Sequence, residues 1–208
     1  MYIYTAYCLF SRPQSPIFFI NAKKKRSFCY TIKIYTLLLL AIITYTGYTK
    51  TLIEEGFSPN GEAHALVLDF INKANFEIRL LAYTFTASDI VDALIAAKTR
   101  GVNIRIVVDK EQSEQEYQQS ILQKLATYGI SIRVNGNYKI MHDKIIITDQ
   151  KNIEIGSYNF TYAAETANSE SILIIWDVPD DALQFLDHWN TRWKEAEPFK
   201  KFRLEESE

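Results

Sequence analysis

Cysteine is nearly missing from this chain: Cys8 and Cys29 are the only two among 208 residues, and both precede Thr51. Beyond that point a disulfide framework, a thiolate nucleophile and a thiolate-bound metal are all excluded. Glycine and proline are also scarce, at 7 and 5 residues. No Gly- or Ser-rich linker or internal repeat divides residues 51–208, so they are read as one domain. No Asp/Glu/His cluster has metal-ligand spacing, which excludes a metal cofactor as the expectation. Acidic residues are absent before Thr51, where seven basic ones stand. That leaves 16 basic residues against 25 acidic ones in the remaining 158, a net charge of −9. An acidic domain does not hold a polyanion through its overall field, so phosphate chemistry here needs a locally positive pocket. What is present is 48% apolar and 23% charged, the balance of a globular protein. A domain of this length buries a core without staples.

Residues 1–50 read as a leader. Lys23-Lys24-Lys25-Arg26 precede the apolar stretch Ile34–Ile43, the order of a secretory signal. The stretch is about half the ~20 residues that span a bilayer. Export to the periplasm or beyond is therefore expected, with an uncleaved membrane anchor as the alternative. Thr44-Tyr45-Thr46-Gly47 is a poor cleavage site. Residues 1–22 lie upstream of the basic patch, where such a signal normally begins, which fits a misplaced start codon.

After the Ser58-Pro59-Asn60-Gly61 turn, Ala63, Leu66, Val67, Phe70 and Ile71 recur at helical spacing. Phe76–Phe85 reads as a strand, and Ser88 as the N-cap of a helix that stops at Arg100-Gly101. A strand over Val102–Val108 ends in Asp109. A helix over about 113–128 stops at Gly129, and Ile130–Val134 is the next strand. Strands fit Lys144–Thr148, Ile153–Gly156 and Ser171–Trp176, and a last helix fits about 180–195. Strands alternating with helices predict a layered α/β domain around a central, largely buried sheet.

Two of the three histidines invite bland readings. His64 lies at the edge of its helix's apolar stripe, and His188 falls outside the stripe of Phe185, Trp189 and Trp193 and is expected to be solvated. His142 differs. In an extended chain it shares a face with Lys144, because side chains alternate with period two. An imidazole beside an ammonium is poor packing but suits an anion: the ammonium neutralises a phosphate oxygen while the imidazole attacks phosphorus or moves a proton. Ser157 and Asn159, again on one face, offer neutral hydrogen-bond donors. Asp143 should face away. Asp149 has the opposite parity to His142 and Lys144 and looks structural, capping the turn before Gln150-Lys151-Asn152.

The whole pattern, His142-x-Lys144-x4-Asp149-x6-Gly156-Ser157-x-Asn159, resembles the motif of the phospholipase D superfamily. Six fixed positions across 18 residues make the resemblance specific. It extends over roughly Phe57–Trp193, including Ala82–Thr86 and Arg100–Val102. It is strongest to the small bacterial endonucleases that carry one motif per chain and a secretory leader. The resemblance implies an α/β/α sandwich with a central mixed β-sheet, no cofactor, and a homodimer with the active site on its two-fold axis. It implies that His142 is the nucleophile or, from the other subunit, the general acid. Lys144, Ser157 and Asn159 would bind phosphate, and Glu170 would hydrogen-bond the histidine. Asp149 enters the catalytic set only as a fixed position of the motif.

A covalent route needs a nucleophile on one side of phosphorus and an acid on the other, so one imidazole cannot serve both. A second copy of His142 supplies the missing group, since a two-fold dimer meets itself with one patch. The expected function is metal-independent cleavage of DNA, or RNA, with little sequence preference, through a phosphohistidine intermediate. A lipid phosphodiesterase or phosphatidyl transferase is the main alternative, and membrane contact follows only from an uncleaved leader. A binding protein with a relic motif is a third reading, weakened by the fully occupied motif.

Overall fold

The computed structural model describes residues 51–200 together with Tyr35 and Thr36. Apart from those two residues, the leader, with its apolar stretch and both cysteines, lies outside the described residues. Among the described residues no helix is long and apolar enough to cross a membrane.

The strands are β1 (Leu52–Ser58), β2 (Glu77–Ala82), β3 (Asn103–Asp109), β4 (Ser131–Asn135), β5 (Lys144–Thr148), β6 (Asn152–Gly156), β7 (Glu170–Trp176) and β8 (Glu197–Pro198). The helices are α1 (Glu62–Asn72), α2 (Ser88–Thr99), α3 (Lys110–Ser113), α4 (Glu116–Thr127), α5 (Tyr162–Thr166) and α6 (Pro179–Glu195). One eight-stranded sheet runs β1-β7-β6-β5-β2-β3-β4-β8. β2, β3 and β4 are parallel, and the other pairings are antiparallel. The expected α/β/α sandwich with a mixed sheet is what forms. On one face Val67, Phe70 and Ile71 of α1, Ile90 and Leu94 of α2 and Leu122 and Leu125 of α4 pack on Ile78, Leu80, Ile106 and Ile146. On the other, Ala182 and Trp189 of α6 pack on Leu81, Val107, Ile145, Ile147 and Ile153.

α6 is fastened by an aromatic–cation ladder. Trp189 stacks on Trp193 with centroids 5.1 Å apart. The Arg79 guanidinium lies 5.4 Å from the Trp189 ring, and that of Arg133 lies 4.6 Å from Trp193.

Several local expectations shift. β1 carries exposed Leu52, Ile53 and Phe57 beside Glu54 and Glu55, so its sequence shows no apolar/polar alternation. It is a strand because β7 pairs with it along its length. Ser88 is the first helical residue of α2 rather than its cap, and Ala87 stands at the cap without a side-chain bond. The helix expected over 113–128 is α4, starting three residues later than read, and the one-turn helix α3 precedes it unforeseen. Asp109 caps α3 by accepting from the Gln112 N–H at 3.0 Å, and α4 starts afresh at Glu116. Gly101 and Gly129 end α2 and α4 as read, both at positive φ (98° and 77°), where a side chain is strained.

β6 holds an unusual core group. Glu154 is fully buried, and neither carboxyl oxygen has a hydrogen-bond partner. Burial pushes its carboxyl up to about 8. A raised folded-state value contributes stability that is complete below the unfolded value of 4.5 and is lost as pH climbs through about 8. Each tenfold change in proton affinity is worth ~1.4 kcal/mol. Wild-type protein is therefore expected to lose stability, by up to several kcal/mol, between pH 5 and pH 9 relative to Glu154→Gln. Urea midpoints at the two pH values check this; an unchanged gap between the proteins would contradict it.

Candidate active site

The motif residues meet where three antiparallel neighbours start or finish. β5 opens with Lys144, β6 closes with Gly156 and β7 opens with Glu170. β2 ends beside them, since Ala82 pairs with Lys144. His142 sits just before β5 and is exposed, whereas Lys144 is buried. The Lys144 ammonium donates to the His142 carbonyl at 2.9 Å and lies 3.2 Å from both ring nitrogens. Tyr83, just past β2, packs against the imidazole with centroids 4.6 Å apart. The Lys144 ammonium is 5.5 Å from the same tyrosine ring. Burial pulls Lys144 below the ordinary lysine range, opposed by the carboxylates of Glu170 and Asp143.

Ser157 donates to Glu170 at 2.6 Å, and the Ser171 N–H donates to the Ser157 hydroxyl at 3.1 Å. Glu170 also accepts from the Asn168 amide at 3.1 Å. No hydrogen bond joins Glu170 to His142, so the bond expected from the resemblance is absent in this chain as it stands. Glu170 instead orients the serine. The amide oxygen of Asn159 is buried without a partner, an unsatisfied acceptor worth ~1–3 kcal/mol.

Asp149 is not brought to this site. It lies beyond the opposite end of β5. It also does not cap its own turn, in which Asp149 and Gln150 are both left-handed (φ 53° and 58°). Its carboxylate accepts the backbone N–H groups of Asn75, Phe76 and Glu77 at 2.9, 2.7 and 3.0 Å. Burial works against that carboxylate's charge, but the donated bonds win and hold it below the usual range. Its work is to fix where α1 hands over to β2. Asp143 does face away, toward α6, where it pairs with His188 at 3.3 Å and Arg192 at 3.6 Å. His188 is thus half-buried and partnered, not freely solvated.

Sequence reasoning passed over three supporting residues. Asp109, capping α3 with one oxygen, accepts the Met141 N–H with the other at 2.9 Å and so anchors the chain next to His142. Gln112 reaches the Tyr83 hydroxyl at 3.2 Å. His64 is buried. Its Nδ1 is 2.9 Å from the hydroxyl of Tyr158, the residue between Ser157 and Asn159, and its Nε2 is 2.5 Å from Asp89. Tyr158 is fully buried; burial raises its phenol above the usual range, and the charges of Glu165 and Asp89 add to that. The pair clamps the Ser157–Asn159 turn from behind. The visible hint was His64 itself, a polar residue beside an apolar stripe.

The Glu165 carboxylate also comes within 3.8 Å of His64 Nδ1. Both ring nitrogens already have hydrogen-bonding partners. His64, Asp89 and Glu165 therefore form a hydrogen-bonded dyad with a nearby carboxylate.

Residues 67–193 match a family model described as the PLD-like domain of cardiolipin synthase. A protein named phospholipase D from Rickettsia conorii is 30% identical over 182 residues, covering 86% of each chain. A protein named mitochondrial cardiolipin hydrolase from Chlamydomonas reinhardtii is 30% identical over 126 residues, 61% of this chain and 55% of that one. Among solved structures, Nuc from Salmonella typhimurium, a phospholipase D family member, superposes with a TM-score of 0.71 at 43% identity. The match covers 73% of this chain and 99% of that one.

Proposed function

This chain is a phosphodiesterase belonging to the phospholipase D superfamily, and from that premise we propose that it is an exported, metal-independent nuclease of nucleic-acid phosphodiester bonds. The observation that carries the reading is the single exposed imidazole of His142, held against a buried ammonium at the rim of the sheet. A phosphate oxygen entering the site competes for the Lys144 ammonium and frees a ring nitrogen to attack phosphorus. The Asn159 amide supplies a neutral donor, and the Ser157 hydroxyl, which donates to Glu170 here, supplies a second when it turns to the phosphate.

Two histidines are needed, and neither other histidine is free for the second role. His64 is engaged behind the Tyr158 turn, and His188 pairs with Asp143 on the opposite side of the strand. A second copy of this chain supplies the acid. The surface supports such a partner. α6 lies over β2, β4, β5 and β6, while Ile53, Phe57 and Leu173 on the same sheet face of β1 and β7 stay 50%, 52% and 37% exposed. A partly apolar sheet face of this kind, with Glu55 among these residues, suits self-association.

Names among the relatives favour a second reading, hydrolysis of a phospholipid. One experiment separates the two. The full chain is incubated with plasmid DNA and with phosphatidylcholine or cardiolipin vesicles, all in excess chelator. Nicked and degraded plasmid with no phosphatidic acid is expected. Activity that dies in chelator and returns with magnesium or zinc would remove the mechanism, and lipid cleavage alone would remove the substrate.

A further inference from the structure

Beside His142 lies a cleft of about 310 Å³ lined by Tyr138, Ile140, Met141, His142, Asp143 and Arg192. Two of its walls are large apolar residues left open: Tyr138 is 39% exposed and Ile140 45%. Tyr138 is nevertheless held still. Its hydroxyl accepts from Arg192 at 2.6 Å and donates to Glu195 at 2.9 Å, and the Arg192 guanidinium lies 4.3 Å from the ring centroid. We propose that this cleft is a subsite for an unstacked nucleobase adjacent to the scissile phosphate, with Tyr138 as its stacking platform, and hence that the enzyme cuts single-stranded nucleic acid in preference to duplex. The inference rests on the nuclease reading above and specifies its substrate.

Charge decides what the cleft accepts. The Arg192 guanidinium is already answered by Asp143 at 3.6 Å and Glu195 at 3.6 Å, so the cleft carries no free cation for a second phosphate. The phosphate belongs at Lys144, and the cleft one residue away suits a neutral group with a planar face. An acyl chain fits poorly, because it would press hydrocarbon against Asp143 and Arg192 and strip water from both. A base stacked on a rigid aromatic ring meets neither problem, and base–aromatic stacking tolerates any sequence. To reach Tyr138 the base must leave its helical stack, which a single strand allows at least cost.

The test compares cleavage of a labelled single-stranded oligonucleotide, the same strand carrying abasic sites around the cut, and a duplex. Wild type, Tyr138→Ala and Tyr138→Phe are used. Wild type should prefer the intact single strand to both other substrates. Tyr138→Ala should lose about ten-fold or more on the intact strand, mainly through KM, with little change on the abasic strand, while Tyr138→Phe keeps the preference. The abasic comparison is made on wild type, so it stands even if Tyr138→Ala folds poorly. Equal cleavage of intact and abasic strands, or preference for duplex, overturns the subsite and leaves the nuclease reading in place. Failure to cut any of the three overturns both.

Discussion

His142→Asn is expected to remove turnover while leaving the fold intact. The imidazole is exposed and lies against the Tyr83 ring and the Lys144 ammonium. Lys144 keeps its 2.9 Å bond to the backbone carbonyl of residue 142 whatever side chain stands there. Proton transfer by a placed group is worth ~10²–10⁴-fold, and losing the nucleophile costs more. The expected result is a variant with wild-type melting and no measurable cleavage. The same substitution tests the shared site. If each subunit contributes one His142, a mixed dimer lacks either nucleophile or acid. After subunit exchange, activity should follow the square of the wild-type fraction. A linear dependence would show that one chain suffices.

The second large effect is expected at Gly156. A Cβ there would stand 2.1 Å from the Ser171 carbonyl oxygen and 2.9 Å from the Ile172 Cα. Both obstacles are backbone, so β6 and β7 must part. The separation would fall where Ser157 and Ser171 exchange bonds and where Ser157 meets Glu170. Overpacking in a core costs ~1–3 kcal/mol even when side chains give way, and a backbone clash should exceed that. Gly156→Ala should therefore lower the melting temperature clearly and cut activity in the molecules that still fold. A variant with wild-type stability and kinetics would mean the strands are not this close.

Much of the site was legible because its geometry is local. Period-two alternation places His142 with Lys144 and Ser157 with Asn159, and the same alternation sends Asp143 and Tyr158 the other way. An apolar run marked β5, since a strand covered on both faces needs little polar residue. β1 was illegible for the converse reason. Its outward Ile53 and Phe57 lie on a face that α6 does not reach, so no alternation betrays it. α3 was illegible because a single turn of four residues is too short to show a helical period.

The sequence by itself determined which groups gather: one imidazole, one ammonium, a serine and an asparagine at a spacing that two antiparallel strands bring to one end of the sheet. It also determined the layered α/β class, which periodicity sets. Only the tertiary structure decided the partners. Asp149 serves residues 75–77, His64 serves Tyr158 from 94 positions away, and Asp109 serves Met141 from 32. Glu170 serves Ser157. A carboxylate or imidazole satisfies its hydrogen bonds with whatever donor the folded chain places within about 3 Å. Strand order β1-β7-β6-β5-β2 sets those neighbours, and no spacing along the chain encodes it.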